Sequence, residues 1–441
     1  NSNYKISIKM KKIFLILLTL IFINQKVFAV TLSEALLEAY INNPELNAER
    51  ENIKVSKEDL TISNSEFFPS VTLSSSQSQE HTEKLTNRSG ADASINDVDP
   101  KTQSIVVEQK LFQGFAGLAG VQKSKIGLSL ADAKLIKTEQ EILYKAVEAY
   151  SGLTFASEKL KINQRNINLL DRQVETDQAR LERGQITLAD LAQSESSLAG
   201  AQAKFIEAKN EVVTAKLFYE KIIGTIANID ELKKELTLKF KIPENLDEAI
   251  KISKKNNPNL IIAKLDYEQS EKDVVIARSD LSPSATLSLN STKTDDLSSI
   301  YDESDKETLK ATISWPLFKG GKNTASLSRS KNLKNRKKLL LDNAVKANDT
   351  NVASAWSDYQ SSKSLLSSVK LQVKAAEIAN EGITVEYETG LGRSTLDVIQ
   401  SNSILLASQI SLAESERNYL LSQSKLLQSV GLLKNKHLKL K

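Results

Sequence analysis

The chain has 441 residues, no cysteine and a formal net charge of +4. Lys5, Lys9, Lys11, Lys12 and Lys26 all precede residue 30 and no acidic residue does, so the rest of the chain carries about −1 and offers no basic excess for binding nucleic acid. The absence of cysteine excludes disulfide bonds and a lipid anchor attached to cysteine.

The first 29 residues have the pattern of a secretory signal. Met10 is followed by two lysines, by an apolar run over residues 13–23, and by Val27-Phe28-Ala29 as a small-residue cleavage site. The apolar run is shorter than a bilayer-spanning helix needs. We therefore expect residues 1–29 to be signal peptide and upstream residues, with the exported chain starting near Val30.

The sequence after residue 29 consists of two similar repeats. The matching residues of the two copies keep an offset of 214, as from Asn43 and Pro44 to Asn257 and Pro258. The offset falls to 206 at Phe112 and Phe318, and it rises to 207 at Asp190 and Asp397 because of one inserted residue. This duplication predicts a first repeat over residues 30–236, a second over 237–431 and a tail over 432–441.

Long helices are predicted in both repeats. All seven prolines lie outside residues 101–242 and 317–441. A helix over residues 326–389 would be roughly 95 Å long. Residues at alternating three- and four-residue steps form a heptad-like seam in it, namely Tyr359, Ser362, Leu366, Val369, Val373 and Ala376. An ordinary coiled coil is the alternative for this stretch alone.

Four short segments instead alternate apolar and polar residues, at about 66–77, 103–112, 281–290 and 308–317. In the last, Leu309, Ala311 and Ile313 face one way while Lys310 and Thr312 face the other. Each segment has about the ten residues that a tilted transmembrane strand needs. The alternative is a soluble hairpin packed on a helix.

The ends of these strands also differ in character. Polar turns are expected at residues 79–99 and 291–305, as suits a water-exposed surface. Aromatic residues cluster at the opposite ends, where a girdle at the lipid interface is expected: Phe67, Phe68, Phe112, Trp315 and Phe318. Four strands cannot close a barrel in lipid, so the chain must associate with other copies, and three copies would supply twelve strands.

These features together resemble the TolC-like outer-membrane efflux and type I secretion family, over about residues 31–431. The resemblance rests on the duplicated Asn-Pro helix starts, on the strand exits at residues 111–114 and 316–321, and on a helical tip in each repeat. It implies an α/β membrane protein, a homotrimer that shares a transmembrane β-barrel in outer-membrane lipid and a long α-helical periplasmic barrel. It also implies docking to a periplasmic adaptor protein and to an inner-membrane pump, either ABC or proton-driven.

The resemblance also assigns roles at the two tips, near Gly184 and Gly390. Tyr387 and Arg393 match residues that would bond Asp190 within and between subunits and so latch the entrance shut. Gly392 is an extra residue in this turn.

Two further positions concern ion selectivity. By resemblance, Asp397 would line the channel as a three-fold acidic ring, while a second ring position is occupied here by Gln400. The adaptor would contact the grooves near Gly184 and Gly390. Without the resemblance, the simpler interpretation is that Asp190 and Asp397 each lie in a first helical turn, where the helix dipole favours acids.

The function that the resemblance implies is an outer-membrane exit duct of a tripartite efflux or type I secretion system, gated at the periplasmic helical tips. Two other classes of protein compete with this interpretation. An enzyme is disfavoured because the only histidines, His81 and His437, lie in a predicted loop and in the tail, so no catalytic or metal-binding constellation is visible and no cofactor is expected. A periplasmic coiled-coil scaffold without a pore would use the same helices. The sequence leaves the cargo open.

Overall fold

The computed structural model describes residues 30–86, 88–91, 97–238, 242–298 and 300–438. The predicted signal at residues 1–29 lies outside this part of the chain. Within it, two runs of six elements follow one another in the same order, each with two shorter helices, two strands and two long helices. The first run is α1 (Leu32–Asn42), α2 (Pro44–Ser65), β1 (Ser70–Gln77), β2 (Lys101–Gln113), α3 (Ala116–Glu182) and α4 (Leu188–Ile222).

The second run repeats this pattern with helices and strands of similar length. It consists of α5 (Leu246–Asn256), α6 (Pro258–Ser279), β3 (Ser284–Asp295), β4 (Glu303–Ser314), α7 (Lys322–Glu388) and α8 (Thr395–Ser429). A short helix, α9 (Asn435–Leu438), follows in the tail. The predicted fold class, long helices combined with four strands in a duplicated chain, is confirmed. No helix of the described residues has both the length and the apolar character to cross a membrane.

Local sequence explains where the shorter helices begin. Thr31 and Glu34 form a reciprocal capping box at the start of α1. The helices α2 and α6 both begin at a proline, which suits the first helical turn because its missing N–H would have no partner there. In α6 the preceding Asn257 caps the helix by accepting a hydrogen bond from the Asn259 backbone N–H at 2.9 Å.

The four strands form one antiparallel sheet in the order β1-β2-β3-β4. Its register joins apolar residues into rows, one of which runs through Val71, Val107, Leu289 and Leu309. On this face Leu309 is 70% and Ile313 is 79% exposed. The opposite face is polar apart from Val106, so the predicted alternation is present, and β1 and β4 form two open edges.

The strands differ from the prediction at both ends of the sheet. The third and fourth strands extend to Asp295 and from Glu303, into the stretch expected to be a turn, because Thr292–Thr294 pair with residues 304–306. The second strand has a register shift between Lys110 and Phe112. This irregularity leaves Leu111 out of the register with β3 and aligns Phe112 with Ala285.

The chain divides into two compact units, which are described separately. One comprises the described residues within Asn1–Pro44, Glu139–Ala249 and Val352–Lys441, and it includes both helical tips. In this unit Tyr150 donates to the backbone oxygens of Val30 at 2.9 Å and Lys233 at 2.6 Å. Lys234 bridges Glu158 and Glu416. These contacts fix the segment that connects the two repeats against α3 and α8.

The other unit comprises Glu45–Thr138 and Ile250–Asn351 and includes the sheet. Its helices are neighbours in the order α2-α3-α6-α7, which follows the order of the strands. Three side-chain contacts establish it, one between each pair of neighbours: Ser63 with Ser124 at 2.5 Å, Lys123 with Asp273 at 2.6 Å, and Lys337 with Asp266 at 2.7 Å. The helices α2 and α7 are therefore the two edges of this layer.

Candidate gating site at the helical tips

Each tip is a tight turn between a 67-residue helix and a 35-residue helix. In the first tip the backbone N–H of Gly184 bonds to the oxygen of Leu181, and that of Gln185 to the oxygen of Arg180. Gly390 and Leu391 make the same pair of bonds in the second tip. Both glycines have positive φ, 68° and 77°, so they end α3 and α7 in the conformation that glycine adopts at least cost.

The following helices begin with capping boxes that use Asp190 and Asp397. The Asp190 carboxylate accepts from the backbone N–H and the hydroxyl of Thr187 at 2.9 and 2.7 Å. Asp397 accepts in the same way from Ser394, at 2.9 Å each. Hydrogen bonds from Thr187 lower the pKa of Asp190, and those from Ser394 lower the pKa of Asp397. Each carboxylate therefore caps the helix to which it belongs.

A third carboxylate, Asp177, lies at the centre of a buried polar cluster near the end of α3. Its side chain is completely buried. It accepts hydrogen bonds from Gln173 at 3.0 and 3.1 Å, from Ser194 at 2.5 Å and from the Tyr387 hydroxyl at 2.5 Å. This cluster joins α3 and α4 of the first repeat to α7 of the second, through one charged acceptor with several donors.

Tyr387 is fixed from several sides. It is only 3% exposed, and its hydroxyl also lies 3.0 Å from that of Thr395. The Arg180 guanidinium lies 4.1 Å from the centre of its ring and donates to its backbone oxygen at 2.9 Å. Burial is the main cause that raises the pKa of Tyr387, and the bond to Asp177 raises it further. The phenol therefore stays protonated as a donor at neutral pH.

The structure does not bring Asp190 together with Tyr387 or Arg393 within one chain, as far as the described residues show. Tyr387 bonds to Asp177, whereas Arg393 pairs with Glu386 at 2.6 Å. The sequence Thr-x-x-Asp explains part of the difference from the expected latch, because one oxygen of Asp190 accepts both bonds from Thr187 in the cap of its own helix. Gln400 is exposed on α8, one turn after Asp397.

Asp177 is the functional candidate that sequence reasoning missed. A signal for it exists, because Asn163, Leu170 and Asp177 recur at seven-residue steps and all three are buried. A polar residue on an otherwise buried stripe needs a partner from another element. The partner could not be named from sequence, since Tyr387 is 210 residues away in the chain.

The architecture defines a class of protein: a duplicated chain of long helical hairpins whose antiparallel sheet is apolar on one face and open at both edges. The chain belongs to the outer membrane efflux protein family, whose model matches residues 35–225 and 249–432. It is thus a protein of the outer membrane.

The chain is also similar to individual outer-membrane efflux and secretion proteins. The outer membrane efflux protein BepC of Brucella suis is 25% identical over 92% of this chain and 87% of its own length. The alkaline protease secretion protein AprF of Pseudomonas aeruginosa is 20% identical over 96% of this chain and 88% of its own. The outer membrane protein TolC of Vibrio cholerae is 20% identical, over 93% of both chains.

Solved structures show the same fold. The CmeC outer membrane channel of Campylobacter jejuni superposes with a TM-score of 0.78 at 15% identity, covering 91% of this chain and 85% of that one. A structure of CusC superposes with a TM-score of 0.77 at 14% identity, covering 91% and 92%.

Proposed function

We propose that three copies of this chain form an exit duct through the outer membrane for efflux or type I secretion. The observation that carries the proposal is the four-stranded sheet, which has an exposed apolar face and two open edges in a chain of the outer membrane efflux protein family. Open strand edges are not tolerated in lipid. Pairing the edges of three copies would close a twelve-stranded transmembrane β-barrel, and the chain itself would perform no catalytic step.

The duct would receive cargo from other proteins. A periplasmic adaptor would contact the two tips near Gly184 and Gly390, and an inner-membrane pump would supply the energy. Both glycines are exposed in the described chain, and a side chain at either would meet no other atom within 4 Å. Among the relatives, BepC is named for efflux and AprF for protease secretion, so either type of cargo is compatible with this architecture.

The tips would act as the gate. The buried bond between Tyr387 and Asp177 would hold α7 against α3 and α4 within each chain, in the position that the Asp190 bond was expected to take. Arg393 would bond Asp190 of the neighbouring copy, in competition with its own Glu386. Asp397 from three copies would form an acidic ring that concentrates cations, and Gln400 would leave the next ring uncharged.

The deciding experiment is the native mass of the protein, extracted in mild detergent from the outer-membrane fraction, followed by conductance in a planar bilayer. A trimer that conducts supports the duct. A monomer, or a soluble periplasmic species, would contradict the proposal and favour a scaffold without a pore.

A further inference from the structure

The duplication of the chain relates the helix contacts of one repeat to those of the other. The offset of 214 that relates Pro44 to Pro258 places α2 on α6, and the offset of 206 that relates Phe112 to Phe318 places α3 on α7. The contact of Ser63 with Ser124 between α2 and α3 thereby corresponds to Ala277 and Ser330, on α6 and α7, and both of these are buried. Helices related by the duplication are therefore neighbours in both repeats, α2 beside α3 and α6 beside α7.

The contact between α3 and α6 has no such counterpart within one chain. In it, the Lys123 ammonium lies 2.6 Å from an oxygen of Asp273. The Gln269 amide donates to the Lys123 backbone oxygen at 3.3 Å. A side-chain carbon at Gly127 would lie 3.2 Å from the same Gln269 amide, so Gly127 faces Gln269 across the contact.

The equivalent positions in the other repeat are on α7 and α2, the two edges of the helix layer. Lys123 corresponds to Arg329 and Asp273 to Asp59, so the cation and the carboxylate are both retained. Gly127 corresponds to Leu333 and Gln269 to Val55, so a glycine facing a polar side chain is replaced by two apolar residues. The chain thus carries both sides of a second contact of this kind, one on α7 and one on α2, but neither side has a partner helix among the described residues.

The exposure of these four residues agrees with this description. Asp59 and Arg329 are exposed, and neither forms an ion pair among the described residues. Val55 is 56% and Leu333 is 43% exposed. The two edges also differ in net charge. Residues 322–342 of α7 carry seven basic residues and one acidic residue, whereas α2 carries five acidic and three basic residues.

We infer that α7 of one copy packs antiparallel on α2 of the next, with Arg329 paired to Asp59 and Leu333 in contact with Val55. The inference rests on the proposed function, because it presupposes that copies of the chain associate. Each copy uses one edge to bind the copy before it and the other edge to bind the copy after it, which is the head-to-tail arrangement that closes a ring. The open strands β4 and β1 would pair across the same boundary.

The ion pair and the apolar contact would contribute to this interface in different ways. An exposed ion pair contributes little stability, so Arg329 and Asp59 chiefly fix how far one helix is shifted along the other. The contact of Leu333 with Val55 removes apolar surface from water and supplies attraction. The apolar pair occurs where copies must find each other, whereas the glycine and glutamine suffice between helices that one chain already connects.

Cysteine cross-linking tests the inference directly, because the native chain has no cysteine. The double variant Asp59→Cys with Arg329→Cys, treated with a short thiol-specific bismaleimide, should give bands at two and three times the chain mass on a denaturing gel. Each single variant should remain at the mass of one chain. The matched control, Lys123→Cys with Asp273→Cys, should cross-link only within the chain and change gel mobility without raising the mass.

The possible failures are distinguishable. A trimer by native mass that gives no inter-chain cross-link, while the control cross-links, would overturn the inference and leave the proposed duct intact. A monomer by native mass would overturn both.

Charge exchange provides a second test that does not need the cross-linker. Arg329→Asp should reduce the trimeric fraction several-fold at low salt, and adding Asp59→Arg to the same chain should restore it. A double variant that assembles no better than either single variant would contradict the pairing.

Discussion

The two helical tips are built from the same local parts but contribute different side chains to the site between them. Each has a glycine that ends the long helix and an aspartate that caps the shorter one. The first repeat supplies the buried Asp177, whereas the second supplies Tyr387 in the place where the first has Leu181.

This difference separates what duplication preserves from what it allows to change. The turns and caps are satisfied by residues within seven positions of one another, so each copy carries its own complete set. The cluster at Asp177 contains residues of both repeats, because Gln173 and Ser194 of the first repeat and Tyr387 of the second all donate to the same carboxylate. The tips therefore share their helix ends and helix caps, whereas their buried side chains are complementary.

The strongest test of this complementarity is removal of the shared acceptor. Asp177→Ala removes the acceptor of Ser194 and Gln173 and leaves the Tyr387 hydroxyl with Thr395 alone, which costs about 3 kcal/mol or more in total. We expect loss of protection from hydrogen exchange at both tips and a large rise in conductance in a planar bilayer. Asp171→Ala, an exposed acid on the same helix, is the matched control and should change neither. Equal behaviour of the two variants would contradict the role of Asp177.

Tyr387→Phe removes one donor and keeps the ring that Arg180 covers. A hydrogen bond to a charged group contributes about 1.5–3 kcal/mol, so the open state should become roughly ten- to a hundredfold more populated. Single-channel recording measures this, with Tyr301→Phe in an exposed loop as the control. Adding Arg393→Ser should have a smaller effect, because its pair with Glu386 is exposed. Unchanged gating in the double variant would refute a latch at this tip.

Glycine substitutions test the part that the tips share. Gly184→Ala and Gly390→Ala force a side chain into positive φ, at a cost of about 1–2 kcal/mol each. Because the two glycines end their helices with the same pair of backbone hydrogen bonds, local hydrogen exchange at the two tips should rise by similar amounts. Gly200→Ala, in the interior of α4 with no atom near the new carbon, should be neutral or slightly stabilising. A large effect at only one tip would show that the turns are not equivalent.

Measurements of ion selectivity should show whether the acid of the second tip, Asp397, has a role that the acid of the first tip, Asp190, does not. Asp397→Asn should lower the cation-to-anion permeability ratio a few-fold, and Gln400→Asp should raise it by adding a second ring. Asp190→Asn removes the same charge from the equivalent position of the first repeat, so it separates a specific role of Asp397 from a general effect of acids. Reversal potentials in a salt gradient give these ratios, and equal values for Asp190→Asn and Asp397→Asn would argue against the ring.

Acid titration should give the smallest effect. The pKa of Asp397 is lowered from the ordinary value of 3.8 by its bonds to Ser394, so the carboxylate stays charged at mildly acidic pH. A lowered pKa means that its contribution to the helix cap is present above 3.8 and is lost as pH falls through the lowered value. Selectivity should therefore persist at pH 4.5. Its loss between about pH 6 and 5 would require another titrating group.

Much of the fold followed from periodicity. The distribution of prolines predicted the long helices, and alternation predicted four strands, because both signals extend over many residues. Strand ends were missed where Thr292, Lys293 and Thr294 are polar on both faces, so that alternation gives no signal. The caps at Asp190 and Asp397 have a readable Ser/Thr-x-x-Asp pattern, but the Tyr387–Asp177 bond depends on tertiary packing that no local pattern contains.

The sheet with its two open edges has a consequence for how the protein is made. A single exported chain has an apolar face and unpaired strand edges that it cannot cover alone, and such edges promote aggregation. In the proposed trimer, barrel closure and membrane insertion would depend on the association of several chains. We expect the yield of assembled protein to fall more steeply than expression level when synthesis is reduced, as a reaction of high order in chain concentration does.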